Sequence, residues 1–402
     1  MTTNGATPAD ILICGPGPVG ATLAILLAGL GYPSTLIGHP PSTISDARGI
    51  ALTADVRRIL TTAGIWQRLD PMLMGHMRYI DVVDAGGHAI HFSGSDAGLT
   101  ALAHVVPYDA LIQSLRERLA ETASVQVVTG TVRALTHSAT QVQVTLDDGH
   151  VHAGALAVGA DGVSSRIRTL SGIAYEQQQL DAVAVTAVLK TGDMHRDHAW
   201  QRFWPDGPLA LLPLGGAHSR SLIWAVPGAL ASQLLALNDH EFEAELGRRA
   251  PDFGDFHLCG LRQTFALGLG QSTAYVGPRV ALAGDAAHQM HPLAGQGMNL
   301  GLEDAAALAA LLADDRYGPD AGDRARLRQY ERWRKAANAP LLLGVEWLRH
   351  VFEASHGPWA ALRGLGLHIT EHQPWIKRQL VWQAAGLRGI RPLTGRIRSA
   401  QR

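Results

Sequence analysis

Cysteine is nearly missing from this 402-residue chain, which has only Cys14 and Cys259. Two thiols so far apart make neither a disulfide framework nor a thiolate metal site, and Cys14 lies in an apolar strand pattern where a small buried thiol is the usual occupant. Long hydrophobic runs are missing too. The longest, Val19 to Leu30, is too short to cross a bilayer and contains Gly29. The first ten residues are polar, without a basic stretch leading into an apolar core, which argues against a secretory leader and for a reduced, cytoplasmic setting. Charged residues make up 17% and nearly cancel to a net charge of −1, so there is no general electrostatic case for nucleic-acid binding. No internal repeat, low-complexity tract or long linker interrupts the chain. Among the 19 histidines, the pairs His88 with His91 and His288 with His291 lack acidic or cysteine partners at ligand spacing, so no metal site is expected. No serine sits in a nucleophile elbow, which removes the hydrolase reading.

What is present is an apolar-leaning globular composition, 47% hydrophobic, long enough for two lobes sharing a boundary. Asp10 to Cys14 has strand character and runs into Gly15-Pro16-Gly17-Pro18-Val19-Gly20, ahead of a helical pattern over Ala21 to Leu30. In a dinucleotide-binding turn Gly15 would permit the sharp bend, Gly17 the approach of a pyrophosphate, and Gly20 close packing of helix on strand. A lone GxGxxG is weak, and a merely structural turn is the competing reading; its place between a strand and a helix favours the dinucleotide. The same rule asks for an acid at the end of the second strand, Ser34 to Ile37, to bind the adenosine ribose. The chain reads Gly38-His39-Pro40-Pro41 there. Two more strand ends carry turn carboxylates: Ala155 to Gly159 leads into Asp161-Gly162, and Val280 to Ala283 into Gly284-Asp285. A polar crossing over His288 to Gly297 then precedes a helical pattern over Met298 to Leu312. Unpaired N–H groups at Gln296 to Asn299 would suit an anionic or electron-rich ligand.

Elsewhere, Tyr79 to Phe92 reads as a hairpin and Val105 to Leu119 has helical spacing. Tyr175 to Gly270 is rich in β-formers and reads as an antiparallel sheet. Alternation puts Gln201 and Phe203 on one face and Arg202 and Trp204 on the other, without saying which lines a pocket. From Arg324 onward, 15 Lys and Arg face 4 Asp and Glu, punctuated by Trp333, Trp347, Phe352, Trp359, Trp375 and Trp382. Aromatics packed inward beneath surface arginines is one reading; a surface for anionic membrane or a partner subunit is the other.

Several strings together, Asp46 to Leu52 (DARGIAL), Gly159 to Gly162 (GADG), Gly207 to Leu214 (GPLALLPL), Gly284 to His288 (GDAAH) and His291 to Gly301 (HPLAGQGMNLG), resemble those of the single-component FAD-dependent aromatic hydroxylases. The branch they resemble is the ubiquinone-biosynthesis hydroxylases, and the likeness covers nearly the whole chain. It implies an α/β fold like that of para-hydroxybenzoate hydroxylase. A Rossmann-like FAD-binding domain would take residues 1–78, 104–174 and 271–335, interleaved with an antiparallel-sheet substrate domain at 79–103 and 175–270, and 336–402 would be a helical C-terminal region. By that likeness FAD is held by Gly15, Gly17, Gly20, Arg48, Asp161, Gly284, Asp285, Pro292, Gly295, Gln296, Gly297, Met298 and Asn299. Asp285 would meet the ribityl chain, and Asp161 would chiefly organise its turn. Pro292 would pack beside the flavin and His291 would orient substrate, while Gln201, Phe203, Leu212 and Pro213 would line the substrate pocket. The reaction implied uses NAD(P)H as transient electron donor and O2 to hydroxylate an electron-rich ring. The substrate class is a phenol with a polyprenyl chain, with a small aromatic acid, pigment or polyketide intermediate as the alternative. The resemblance also implies a position peripheral to the inner membrane or in a biosynthetic complex, and leaves homo-oligomerisation open. Two positions depart from the family pattern: the acid missing at Gly38, and Tyr108-Asp109 where relatives carry Arg or Gln. These departures also motivate a contrary expectation, a non-catalytic scaffold subunit that has lost tight FAD binding.

Overall fold

The computed structural model describes residues 11–40, 46, 48–290 and 296–353, with 373, 375, 377–379 and 381. Among these residues, six strands form a sheet in the order Val276–Gly277, Val280–Leu282, Leu156–Gly159, Ile11–Cys14, Ser34–Ile37 and Val125–Val128. All neighbours pair in parallel except the first two. Strands covered on both faces favour apolar side chains, and Ile11–Cys14, Ser34–Ile37 and Leu156–Gly159 are buried throughout, with Ser34 and Thr35 the polar members. The helices Pro18–Gly29 and Gly297–Leu312 pack together against this sheet, and their apolar residues dominate the main core.

The second large sheet has nine strands among the described residues. Its longest, Tyr175–Thr191, is flanked by Ser219–Val226 and Gln263–Ser272, and the path runs on through Gly207–Pro213 and His198–Trp204 to the hairpin Tyr79–Val83 and Ala89–Ser93. A three-stranded sheet of Gly49–Leu52, Ala103–Pro107 and Gly75–Met77 lies between the two large ones. Its contacts with the nine-stranded sheet run through Val105, packed with Ala199, Leu212 and Leu214.

Two local expectations change. Val105 and Val106 are strand, and the helix begins only at Tyr108, ending at Ala120. β-branched residues stopped by Pro107, whose extended backbone ends the strand and caps the helix, explain the shift. The stretch from 175 to 270 also contains two helices, Gly228–Ala236 and Asp239–Arg249. The second is announced by a capping box, Asn238 with Glu241, whose side chain and backbone groups bond reciprocally.

The helix Arg324–Glu353 carries the chain into the basic tail. Trp333 packs against the main core, whereas Trp375 is exposed. The side chains of Trp347 and Phe352, and the whole of Trp359 and Trp382, lie outside the described residues. No helix among the described residues is long and apolar enough to cross a membrane.

Candidate functional site

The carboxyl ends of the parallel strands open onto one cleft of about 590 Å³. Going across the sheet, the residues that follow successive strands are Gly284-Asp285, Ala160-Asp161, Gly15 to Pro18, Gly38-His39 and Gly130-Thr131, and all of them line it. With strands spaced about 4.8 Å apart, Asp285 and Gly38 lie three strands, or roughly 14 Å, from each other. The cleft is thus an elongated slot along the strand ends, the usual ligand position in an open α/β sheet.

The glycine turn is built as its spacing suggests. Gly15 has φ +116°, and a Cβ there would come within 2.2 Å of the Ala160 carbonyl oxygen; at Gly20 it would come within 2.0 Å of the Gly15 oxygen. Both positions exclude any side chain. A Cβ at Gly17, by contrast, meets nothing within 4 Å, so this backbone faces open cleft.

Asp161 organises the neighbouring turn. Its carboxylate accepts from the Ser165 hydroxyl at 2.5 Å and from the Arg166 and Ile167 amides at 2.7 and 3.1 Å. Sequence reasoning passed over Arg168. Its guanidinium donates to the carbonyls of Val163 and Ala286, tying this turn to the one at Asp285, and lies 3.9 Å from the Tyr175 ring centroid.

At the other end Gly284 takes φ +62°, and its N–H donates to Asp304 Oδ2 at 2.9 Å. That carboxylate also bonds His288 Nε2 at 2.6 Å and Arg334 Nε at 2.5 Å, and Arg334 reaches Glu303, Asn338 and the Leu300 carbonyl. His288, Asp304 and Arg334 have 0 to 2% of their side-chain surface exposed. Burial pushes the Asp304 pKa up, but His288 and Arg334 together with the hydrogen bonds from His288 and Gly284 outweigh it, and the carboxyl sits below its ordinary range. A readable signal was the Glu303-Asp304 pair inside an otherwise apolar helix, since buried charges require partners.

Asp285 is the opposite case. Its side chain opens to the cleft, and its carboxylate has no hydrogen-bond or ion-pair partner among the described residues. Enclosure by protein raises its pKa, His288 and Arg48 oppose that rise, and Asp304 adds to it.

Gly297 and Met298 line the cleft at the first turn of the helix Gly297–Leu312, with Gln296 at its N-cap. The Asn299 side chain turns elsewhere: it donates to the Ala51 carbonyl and accepts from the Thr53 amide, pinning the helix start to the segment after Gly49–Leu52. His291, Pro292 and Gly295 lie outside the described residues.

Arg48 enters the cleft from between the lobes. Its guanidinium lies 4.6 Å from the Tyr108 ring centroid and 3.8 Å from that of Phe265, and pairs with Asp46 at 3.2 Å. Tyr108 is therefore a wall of the cleft, and Phe265 brings the nine-stranded sheet onto it. Register decides which face of that sheet points this way. Ser221, opposite Leu212, accepts from the Gly49 amide at 2.8 Å, and Leu212 packs on Val105. Gln201 and Phe203 share this face by alternation, with Gln201 paired to Ala210. Arg202 and Trp204 stack at 4.1 Å on the far face, and Pro213 alternates to that far side, opposite Arg220.

The family described as FAD binding domain (FAD_binding_3) matches residues 8–342. The chain is an FAD-dependent aromatic hydroxylase. It is 36% identical over 99% of its length to ubiquinone hydroxylase UbiL of Rhodospirillum rubrum, of which 94% is covered. It is 31% identical over 94% of its length to 3-demethoxyubiquinol 3-hydroxylase of Escherichia coli, of which 99% is covered. Among solved structures, OxyS anhydrotetracycline hydroxylase from Streptomyces rimosus is similar at 25% identity and a TM-score of 0.70, over 94% of this chain and 76% of that one. The fold is also that of Klebsiella pneumoniae HpxO complexed with FAD and uric acid, at a TM-score of 0.74 and 18% identity, with 95% and 99% covered. FAD is accordingly the cofactor of this hydroxylase, and the expectation of a scaffold without flavin chemistry is set aside.

Proposed function

We propose that this hydroxylase acts on a polyprenylated phenol of ubiquinone biosynthesis, with NAD(P)H as electron donor and O2 as oxidant. The observation that carries the reading is the 36% identity to a ubiquinone hydroxylase over 99% of the chain, against 25% to the anhydrotetracycline hydroxylase. A polycyclic polyketide is the second reading, favoured by that structural likeness.

The cleft suits FAD on physical grounds. The open Gly17 backbone offers amides to a pyrophosphate, the Asp285 carboxylate, without a partner among the described residues, awaits hydroxyl donors, and the helix start at Gly297 and Met298 presents N–H groups to an electron-rich ring. When bound, the flavin supplies the oxygen activation. The chain's own part is to hold, orient and exclude water. Phe265 with Tyr108 clamps Arg48 between the lobes, and the sheet face that carries Leu212, Phe203 and Gln201 turns the same way, which supports its assignment as the substrate-facing wall. By the family likeness alone, Pro292 is assigned to pack beside the flavin and His291 to orient the substrate; both lie outside the described residues.

The test is oxidation of NAD(P)H under air by protein supplied with FAD, with mass analysis of the organic product under ¹⁸O2. A polyprenyl phenol should stimulate oxidation and gain one labelled oxygen, while small aromatic acids and polycyclic phenols should not. Labelling of the polycyclic compound alone would replace the first reading with the second. Arg48→Ala should raise the FAD dissociation constant about tenfold, because a stacked cation and its phosphate-side charge are lost together. Flavin fluorescence titration reads this, and unchanged affinity would remove Arg48 from the site.

A further inference from the structure

The adenosine end of the cleft is rebuilt and not merely weakened. At the end of Ser34–Ile37, where a ribose-binding acid is the general rule, Gly38 has φ +142°. A Cβ at Gly38 would stand 2.5 Å from Pro16 Cδ. Pro16 belongs to the glycine turn itself, so the two positions are matched: with proline at 16, no side chain fits at 38, carboxylate or otherwise.

The next strand end supplies other groups. Gly38 donates its N–H to the Val128 carbonyl at 2.9 Å, which joins the ends of the two strands. His39 Nε2 then lies 3.2 Å from Thr131 Oγ1, and both residues line the cleft. Thr131 is held in place by Asp147, whose Oδ1 accepts the Thr131 amide at 3.1 Å and whose amide donates to the Thr131 carbonyl at 2.9 Å. Arg166 is fixed at the same end by its bond to the Val132 carbonyl at 2.9 Å.

We infer that His39 and Thr131 together take over the binding of the adenosine ribose hydroxyls in this hydroxylase. A carboxylate only accepts, whereas a neutral imidazole and a threonine hydroxyl each have one donor and at least one acceptor. With Nε2 and Oγ1 bonded to each other, Nδ1 and the hydroxyl's remaining hydrogen-bonding capacity are left for a ligand diol. Such a pair replaces a charge-assisted contact with neutral ones and adds no further negative charge beside the pyrophosphate. The inference rests on FAD lying along the strand ends, with its flavin at the Asp285 end.

The experiment compares FAD, FMN and FAD carrying 2′-deoxyadenosine as ligands of the purified protein, by flavin fluorescence. Wild-type protein should bind FAD more tightly than FMN and lose about tenfold with the deoxy cofactor. His39→Ala and Thr131→Val should each weaken FAD by a similar factor, leave FMN affinity unchanged, and bind the deoxy cofactor no more weakly than FAD. Unchanged FMN affinity also shows that the flavin side is folded. Gly38→Glu should weaken FAD binding, because Pro16 blocks the new side chain. Wild-type protein that bound FAD no tighter than FMN would overturn the inference at once. Variants with wild-type FAD affinity, or the same deoxy penalty as wild type, would overturn it while leaving FAD binding at the strand ends intact.

Discussion

Asp285→Ala should weaken FAD binding by about a hundredfold while leaving the apoprotein as stable as before, or more so. The carboxylate faces the cleft without a partner among the described residues, in surroundings that disfavour its charge. A hydrogen bond to a charged acceptor contributes roughly 1.5–3 kcal/mol, and a carboxylate meeting two hydroxyls of a ribityl chain reaches the upper end of that range, or about two orders of magnitude in affinity. Among the described residues no hydrogen bond or ion pair is lost with it. The sign for stability follows from the raised pKa: an acid whose folded value lies above its unfolded value costs stability once pH exceeds the unfolded value, and alanine removes that cost. Titration with FAD together with thermal unfolding without FAD gives both readouts. Wild-type affinity, or a clearly less stable apoprotein, would show that Asp285 is a structural turn residue.

Asp304→Ala should have the opposite profile, damaging the fold first. Removal of this carboxylate leaves the Gly284 amide and His288 without their acceptor and Arg334 with Glu303 as its remaining carboxylate, all in a buried setting. Breaking one partner of a buried pair costs about 3–5 kcal/mol, a large part of the roughly 5–15 kcal/mol that a folded domain possesses. Urea unfolding should show that loss, with Asp304→Asn intermediate because an amide oxygen can still accept. The same group predicts acid sensitivity. Its folded pKa lies below the ordinary 3.8, so its stabilisation is complete above that value and disappears as pH falls towards the folded one. Asp304→Asn should therefore flatten the acid limb of the stability profile. An unchanged limb would place the acid sensitivity in other carboxylates.

These two aspartates, nineteen positions apart in one strand-to-helix unit, look alike in the sequence, and only one of them drew notice as a site residue. Asp285 follows a strand end and a glycine, a local context that announces a turn. Asp304 sits in the middle of an apolar helix, and its partners come from the turn before it and the helix after it. The contacts of Arg168 and Tyr108 were hidden for the same reason, since the groups they meet, Ala286 and Arg48, are remote in sequence. Asn299 was placed at the cofactor through its backbone N–H at a helix start; its side-chain amide, bonded to Ala51 and Thr53, has a separate role that packing alone reveals.

The sequence by itself determined the elements whose causes are local. The buried parallel strands Ile11–Cys14, Leu156–Gly159 and Val280–Leu282 announced themselves by unbroken apolar runs, the turn at Gly15 to Gly20 by the backbone freedom and close approach that glycine alone permits, and the helix start at Gly297 by the crossing before it. The chemistry of the family followed from strings that keep these local features together. Tertiary structure alone decided which face of the nine-stranded sheet turns towards the three-stranded one, because alternation defines two faces and only contact with Gly49 and Val105 orients them. It also decided what the absent acid at Gly38 means. A missing residue reads as a loss along the chain; only the approach of Pro16, and of Thr131 to His39, turns that loss into a different way of holding the same ligand.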